Sequence, residues 1–248
     1  MISGIFHKGS GIGNQLARYV ATRVLALDKG YEFGMINPEN FKGASFMRLV
    51  MGRGRGYDTS EYETFNEKKT VEKGVDIRGY DPEINFVEDN TIIDGEFQDP
   101  RYFEHRLDEV REWLKVEPLE MADDLCVINF RGGEYVGVKD LFLPKEYWDK
   151  AIAMMKDINP DMKFEVHTDD VDTAQEFFPD FECIRHIGIN WRAVRYAKYL
   201  ILSNSSFAIL PALLNQDVRK IYAPRYWARH NIGVWAMSQN YYKQYTYI

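Results

Sequence analysis

Apolar residues along this chain fall into two alternating patterns: short runs of β-branched and aromatic side chains, and longer stretches where they recur every three or four positions. The first pattern predicts buried strands and the second amphipathic helices. Ile2 to Phe6 reads as a strand, after which Leu16, Tyr19, Val20, Val24 and Leu27 mark one face of a helix. Residues 35–90 are the least periodic. There, MGRGRGY from Met51 reads as a solvated basic loop, or as one facing an acceptor, and NEKKTVEK from Asn66 as exposed helix or loop. Thr91 to Glu96 predicts a second strand, and Phe103, Leu107, Val110 and Leu114 predict a helix that stops before Pro118. The acidic, aperiodic stretch 118–124 predicts a hinge. Beyond it, strands are expected at Leu125–Phe130, Phe164–Thr168, Tyr199–Leu202 and Lys220–Ala223. Helices are expected at Tyr147, Trp148, Ala151, Ile152 and Met155 and at Trp191–Lys198. Trp227, Trp235, Tyr241 and Tyr242 form an aromatic tail expected to pack back on the protein. Strand and helix alternate throughout, which predicts an α/β protein with parallel sheets.

Composition narrows the function classes. With 248 residues, 45% of them apolar and 28% charged, the chain has the make-up of a globular protein of one large or two small domains. A formal net charge of −7 argues against an electrostatic nucleic-acid binder. Cys126 and Cys183 lack the CxxC spacing of a metal or redox site, so reducing cytosol is the expected compartment. No apolar run approaches the roughly 18 residues of a membrane span, and the N-terminus lacks the apolar core of a signal peptide.

The chemistry concentrates at the ends of the predicted strands. Arg131 leaves the strand Leu125–Phe130 at its carboxyl end, where open α/β sheets bind ligands. A guanidinium there can fork onto two phosphate oxygens, and Gly132 and Gly133 let the backbone approach a bulky polyanion; the plainer reading is a surface arginine closing an ordinary loop. KGSGIGNQ, from Lys8, is a glycine-rich turn entering a helix and thus an anion cradle by geometry. Gly9, Gly11 and Gly13 imitate a dinucleotide fingerprint, but its third glycine would fall on Asn14; with Glu32 near the ribose-binding position, an NAD(P) oxidoreductase stays an alternative. Asp169 and Asp170 could cap the next helix, read a base edge or bind metal, in that order once the lack of a third ligand is counted. Ser203, Asn204, Ser205 and Ser206 offer hydroxyls and helix-terminal N–H groups. Gln98, Asp99, Arg101 and Tyr102 are expected at least to cap the helix that follows them, with contact to a ligand left open.

Taken in order, these segments resemble the α-1,2-fucosyltransferases of glycosyltransferase family 11. SGIGNQL from Ser10 is similar to that family's GGLGNQ(L/M), DGEFQDPRYF from Asp94 to GYFQSEKYF, INFRGGEY from Ile128 to HxRRGDY and HTDD from His167 to FSDD. LSNSSFAILPALLN from Leu202 resembles NSSFSWWxAxL, and KIYAPRYW from Lys220 resembles KxVxAPxxW. The resemblance implies a GT-B-like fold, two Rossmann-like halves with parallel sheets facing a cleft. The halves would be an acceptor-side domain over 1–117 and a GDP-sugar domain over 118–225, with a tail over 226–248. It implies inverting transfer of fucose, or a related deoxysugar, from a GDP-sugar to a glycan hydroxyl without an obligatory metal. Arg131 would stabilise the leaving diphosphate, Asp169 would read guanine, Ser205, Ser206 and Phe207 would line the nucleotide pocket with Asn129, and Gly11, Gly13 and Asn14 would approach from the other half. Three motif positions differ: Asn129 replaces His, Gly132 the second arginine and Glu134 the aspartate. Lys8 or Arg225 could restore the missing charge, and His7, Glu96 or Glu134 could serve as general base. A binding protein without turnover is a further alternative.

Overall fold

The computed structural model describes residues 1–53, 57–72, 75–231, 233, 236–237 and 242–248. The chain divides into two compact units, one of residues 1–71 with 76–116 and one of residues 72–75 with 117–248.

In the first unit, β1 (Ile2–Ile5), α1 (Ile12–Lys29), β2 (Phe33–Ile36), β3 (Glu63–Asn66) and, after the short pair β4 (Thr70–Glu72) and β5 (Val75–Ile77), whose Glu72 and Val75 count with the other unit, β6 (Thr91–Asp94) form the framework. Four of these strands make a parallel sheet in the order β2-β1-β6-β3. Leu16, Tyr19, Val20 and Val24 of α1 are buried as their spacing predicts, whereas Leu27 is exposed in the last turn, just before the helix ends on Gly30 in the left-handed region (φ 70°). In the aperiodic stretch one expectation is extended and one changes. Residues near Met51 keep the expected exposure, Gly52 and Arg53 both facing solvent, but they are also tied to β2, Met35 N–H donating to Met51 C=O (3.0 Å) and Arg53 N–H to Phe33 C=O (3.0 Å). Gly52 is required there, since a Cβ would lie 2.1 Å from the Phe33 carbonyl oxygen; residues 54–56 of that segment lie outside the described residues. NEKKTVEK is neither helix nor exposed loop at its start, because Asn66 ends β3 and the Glu67 side chain is buried; Lys73 lies outside the described residues. The helix expected from Phe103 shortens to α2 (Leu107–Trp113), its first turn spent as 3₁₀ at Glu104–Arg106; the cluster before it does not cap α2, since Asp99 accepts the Arg101 N–H (3.0 Å) and caps a separate 3₁₀ turn at Pro100–Tyr102.

The second unit contains β7 (Leu125–Phe130), α3 (Lys145–Ile158), β8 (Lys163–Thr168), α4 (Val171–Phe177), β9 (Glu182–Ile184), α5 (Ile187–Tyr196), β10 (Tyr199–Leu202), α6 (Ser206–Leu214) and β11 (Lys220–Ala223). The antiparallel pair β12 (Tyr226–Ala228) and β13 (Ala236–Met237) follows, and β14 (Thr246–Tyr247) returns beside β11. The six-stranded sheet is parallel, in the order β14-β11-β10-β7-β8-β9. Both faces are covered, as an all-parallel sheet requires. Cys126, Ile128 and Phe130 of β7 point to one side, where Phe130 packs on Phe142, Trp148, Phe177 and Phe178 at centroid distances of 5.3–6.0 Å. Val127 points to the other, onto Ala193, Ala208 and Ala212 of α5 and α6. α5 begins four residues before the expected Trp191, because His186 caps it by accepting the Ile189 N–H (3.1 Å). In the tail, Tyr242 is buried and Trp227 half-buried, while Trp235 and Tyr241 lie outside the described residues. No helix among the described residues is long and apolar enough to cross a membrane.

Candidate active site

Strand order decides where a ligand can sit. In the second unit the chain leaves β7 toward β8 and β9 on one side, then returns to place β10 and β11 on the other. The point of reversal lies between β7 and β10, where the diverging crossovers leave a crevice outside the carboxyl ends. Arg131 follows β7, and Ser203 to Ser206 follow β10. The sheet therefore places the arginine loop and the hydroxyl-rich turn at one crevice.

The arginine loop is tied to the end of β8. Arg131 Nη1 donates to Asp169 Oδ2, Nη2 donates to Glu134 Oε1 (2.7 Å), and the guanidinium lies 5.1 Å from the Tyr135 ring centroid. Asp169 Oδ1 also accepts the Gly132 N–H (3.0 Å). Asp170 caps α4, accepting from Thr173 N–H (3.2 Å) and Thr173 Oγ1 (2.7 Å), and takes the Gly133 N–H as well (3.0 Å). These bonds, the Thr173 hydroxyl foremost, hold the Asp170 carboxyl below the usual carboxylate range. The two glycines thus serve a nearer purpose than the approach of a polyanion. A Cβ at Gly132 would lie 2.7 Å from Asp170 Cβ, and one at Gly133, where φ is +48°, would lie 2.6 Å from Asp169 Oδ2. The arginine of the family motif has no room at position 132, because the loop is closed against Asp170.

Across the crevice, Ser205 caps α6 by accepting the Phe207 N–H (3.3 Å), and Ser206 opens the first turn. Phe207 is half-buried, edge-on to Trp191 at 6.0 Å. Asn129 is buried and stitches β7 to β10, its Oδ1 accepting from Ser203 Oγ (3.1 Å) and its carbonyl from Ser203 N–H (3.0 Å), so it supports the crevice from beneath. Asn204 donates to the Leu141 and Trp227 carbonyls (2.9 and 2.5 Å), leaving its Oδ1 buried without a partner among the described residues, beside a cavity of about 40 Å³, room for ordered water.

The first unit has its own reversal, between β1 and β6, and a cleft of about 470 Å³ opens there. His7, Ser10, Asn14, Glu67, Asp94 and Glu96 line it, with Arg18, Lys69 and Arg78. Gly11 precedes α1 as its N-cap and Gly13 is buried in the first turn. Asn14 Oδ1 accepts from Gln98 Nε2 (2.9 Å), and Gln98 Nε2 also lies 3.4 Å from Glu96 Oε2. Lys8, in this unit, and Arg225, past β11, are both exposed. Sequence reading passed over two residues that shape this cleft. Arg18 is buried and donates to Ile5 C=O (2.9 Å) and through Nε to Gly95 C=O (2.9 Å). Glu67 accepts the N–H groups of Glu96 (2.7 Å) and Phe97 (3.1 Å), and burial raises its carboxyl above the usual range. An arginine within an otherwise apolar helix face was the one available signal; Glu67, in a run of charges, had none.

No family model matches this chain, and no curated protein matches it. Among solved structures it matches the fucosyltransferase NodZ from Bradyrhizobium, with 12% identity and a TM-score of 0.50 over 88% of this chain and 94% of that one. The fold is similar to that of a fucosyltransferase. A NodZ α-1,6-fucosyltransferase crystallised with GDP aligns over 97% of this chain and 99% of its own, at 14% identity and a TM-score of 0.45. The likeness to NodZ concerns the fold: an α/β chain with parallel sheets in two halves.

Proposed function

We propose that this chain is a glycosyltransferase that moves a sugar, fucose or a related deoxysugar, from a GDP donor to a hydroxyl of a glycan acceptor, with inversion. The observation that carries this reading is the strand reversal of the second unit, between β7 and β10. A half-exposed arginine leaves one strand of a Rossmann-type reversal, and a serine-rich helix start leaves the other. That pairing suits a diphosphate, whose charge grows as the glycosidic bond breaks. Donors fixed beforehand, a guanidinium and helix-terminal N–H groups, bind this charge more strongly in the transition state than in the ground state. The likeness to the NodZ fold and the ordered motifs shared with fucosyltransferases support the same donor class.

Arg131 already has carboxylate partners, and these divide into two kinds. Asp169 is tied to the Gly132 N–H and fixes the orientation of the guanidinium, whereas Glu134 is 76% exposed and holds Nη2 from a flexible side chain. A phosphate oxygen replaces Glu134 at Nη2 while Asp169 keeps the fork aimed. Glu134 accordingly gates the arginine, and Asp169 orients it as well as remaining the candidate for the guanine edge. Ser205, Ser206 and Phe207 line the nucleotide side.

Calorimetric titration tests the donor assignment. GDP and GDP-fucose should bind, NAD and NADP should not, and Arg131→Ala should lose at least tenfold in GDP affinity, about 1.4 kcal/mol. Equal GDP affinity in the two proteins would overturn it. Turnover with a saccharide panel, with product linkage read by NMR, then separates transfer from mere binding and decides whether the linkage is the α-1,2 bond that the sequence motifs suggest.

A further inference from the structure

The donor reading leaves one buried titratable side chain of the second unit without a role. His167, where the resembled motif has phenylalanine, is fully buried on β8, two residues before Asp169. Both of its ring nitrogens face oxygen: Nε2 lies 2.6 Å from Glu165 Oε1 and Nδ1 lies 3.0 Å from Asn190 Oδ1. The other end of the Asn190 amide settles which atom meets the ring, because Nδ2 donates to the Thr168 carbonyl (3.0 Å). An ionised carboxylate and an amide oxygen only accept, and a neutral imidazole has a single N–H; the doubly protonated ring satisfies both. A neutral ring would set a lone pair against an acceptor in a site closed to water, which costs free energy.

The same amide reaches the nucleotide site. The carbonyl that Asn190 holds belongs to the planar peptide joining Thr168 to Asp169, so its direction sets where the Asp169 side chain begins. Asp169 accepts from Arg131 and from the Gly132 N–H, and Thr168 Oγ1 accepts the Asp170 N–H (2.9 Å). A continuous line of bonds therefore runs from the ring through Asn190, the Thr168–Asp169 peptide and the Asp169 carboxylate to the guanidinium. The neighbours of His167 in register are Asn129 on β7 and Ile184 on β9, neither of them titratable. The charged and titratable groups of the elements packed around it are Glu165 on its own strand, Glu182 on β9 in register with Glu165, Arg185 and His186 in the turn into α5, and Arg192 and Arg195 on α5.

We propose that His167 is held as an imidazolium and is a positioning residue of the nucleotide site, its second proton fixing Asn190 and, through it, the turn that aims Arg131; the part that concerns the nucleotide rests on the donor reading above. Loss of that proton breaks the bond from Nδ1 to Asn190, the Thr168–Asp169 peptide is no longer held, and the diphosphate meets an arginine without a fixed direction. Nucleotide affinity is then complete while the ring is charged and declines as pH rises through its titration. Ionisation of the nucleotide's own terminal phosphate, near about pH 6, acts in the opposite sense, since a more negative phosphate binds the guanidinium more strongly.

The test compares wild type with His167→Phe, which has no donor, and His167→Asn, whose amide can donate from the place of Nδ1 but does not titrate. In nucleotide-free wild type, nitrogen-15 spectra of the ring, assigned by their loss in His167→Phe, should show both nitrogens protonated at about pH 6. As pH is raised until the ring titrates, the Gly132 amide resonance should move in step with it. By calorimetry at about pH 6, His167→Phe should bind GDP at least about fivefold more weakly than wild type and His167→Asn within about twofold of it, and only wild type should weaken as the ring loses its proton. A neutral ring at about pH 6, or a Gly132 amide that ignores the titration, would overturn the proposal, and the wild-type spectra decide this even if a variant fails to fold. GDP binding by His167→Phe equal to wild type, with the same pH profile, would overturn the role in nucleotide binding. A wild type that binds no GDP at any pH would refute the donor reading instead, and the Gly132 resonance would still decide whether the ring positions the loop.

Discussion

Putting the second motif arginine back, as Gly132→Arg, should weaken the protein and its nucleotide site despite the added positive charge. The backbone at 132 has φ −97° and ψ −115°, and a Cβ there would meet Asp170 Cβ at 2.7 Å and Oδ2 at 3.0 Å. Asp170 Cβ is bonded directly to the backbone at the cap of α4 and has little freedom to yield. Ordinary carbon contacts need about 3.5 Å or more, so the loop must retreat by roughly 1 Å. Retreat breaks or lengthens two charge-assisted bonds, Gly132 N–H to Asp169 and Gly133 N–H to Asp170. Each such bond contributes about 1.5–3 kcal/mol in sheltered surroundings; both are partly exposed here, so with the steric term the loss should be about 2–4 kcal/mol. Gly132→Ala isolates the steric part and should give most of that loss. Urea unfolding followed by tryptophan fluorescence measures stability, and calorimetry measures GDP affinity, which should fall because Arg131 loses the anchor that aims it. If Gly132→Arg matched wild-type stability within about 0.5 kcal/mol and bound GDP more tightly, the account of a loop closed on Asp170 would be wrong.

Removing the exchangeable partner should act in the opposite direction. Glu134→Gln deletes a negative charge about 5 Å from an incoming phosphate, about 1 kcal/mol at a dielectric close to that of water, as suits a side chain 76% exposed, and GDP should bind roughly threefold to tenfold tighter by calorimetry. Asp170→Ala removes the cap of α4 and the Gly133 contact and should cost about 1–2 kcal/mol in urea unfolding. Because the folded carboxyl of Asp170 titrates below its unfolded value, its contribution is present above about pH 4 and is lost as pH falls through the lower folded value, a slope that Asp170→Ala should lack. Burial lowers the His230 imidazole from 6.5 to about 4. The unfolded chain takes up this proton before the folded one does, so stability should be complete above pH 6.5 and decline toward pH 4 by at most about 3 kcal/mol; His230→Gln should flatten that decline in thermal melts across pH.

Sequence legibility followed how strongly each element is dictated locally. β7 and β10 were readable because strands buried on both faces need unbroken apolar runs, β8 because Phe164 and Val166 alternate with polar residues, and α3 because its inner face repeats at helical spacing. α5 was read short, since Ile187, Gly188 and Ile189 carry weak helix propensity and its start depends on the His186 cap. The region around Glu67 could not be read, for its burial is decided by the N–H groups of Glu96 and Phe97, contacts from nearly thirty residues away. At the candidate site, the placement of Arg131 and the serine turn at strand ends was foreseeable. Their partners were not: Asp169 was expected to cap the next helix or to read a base edge, and it bonds instead to Arg131 and to the Gly132 N–H, while Asp170 alone takes the cap.

The parallel pairing of β14 with β11 carries a practical consequence. Ile248 donates its N–H to the Ala223 carbonyl (3.0 Å) and accepts from the Arg225 N–H (3.2 Å), so the last residues cover the flank of a strand that would otherwise present bare amide and carbonyl groups. Trimming residues 246–248, or fusing a purification tag that pulls on them, would leave β11 as a template for a second molecule, and self-association would rise with protein concentration before any loss of nucleotide binding.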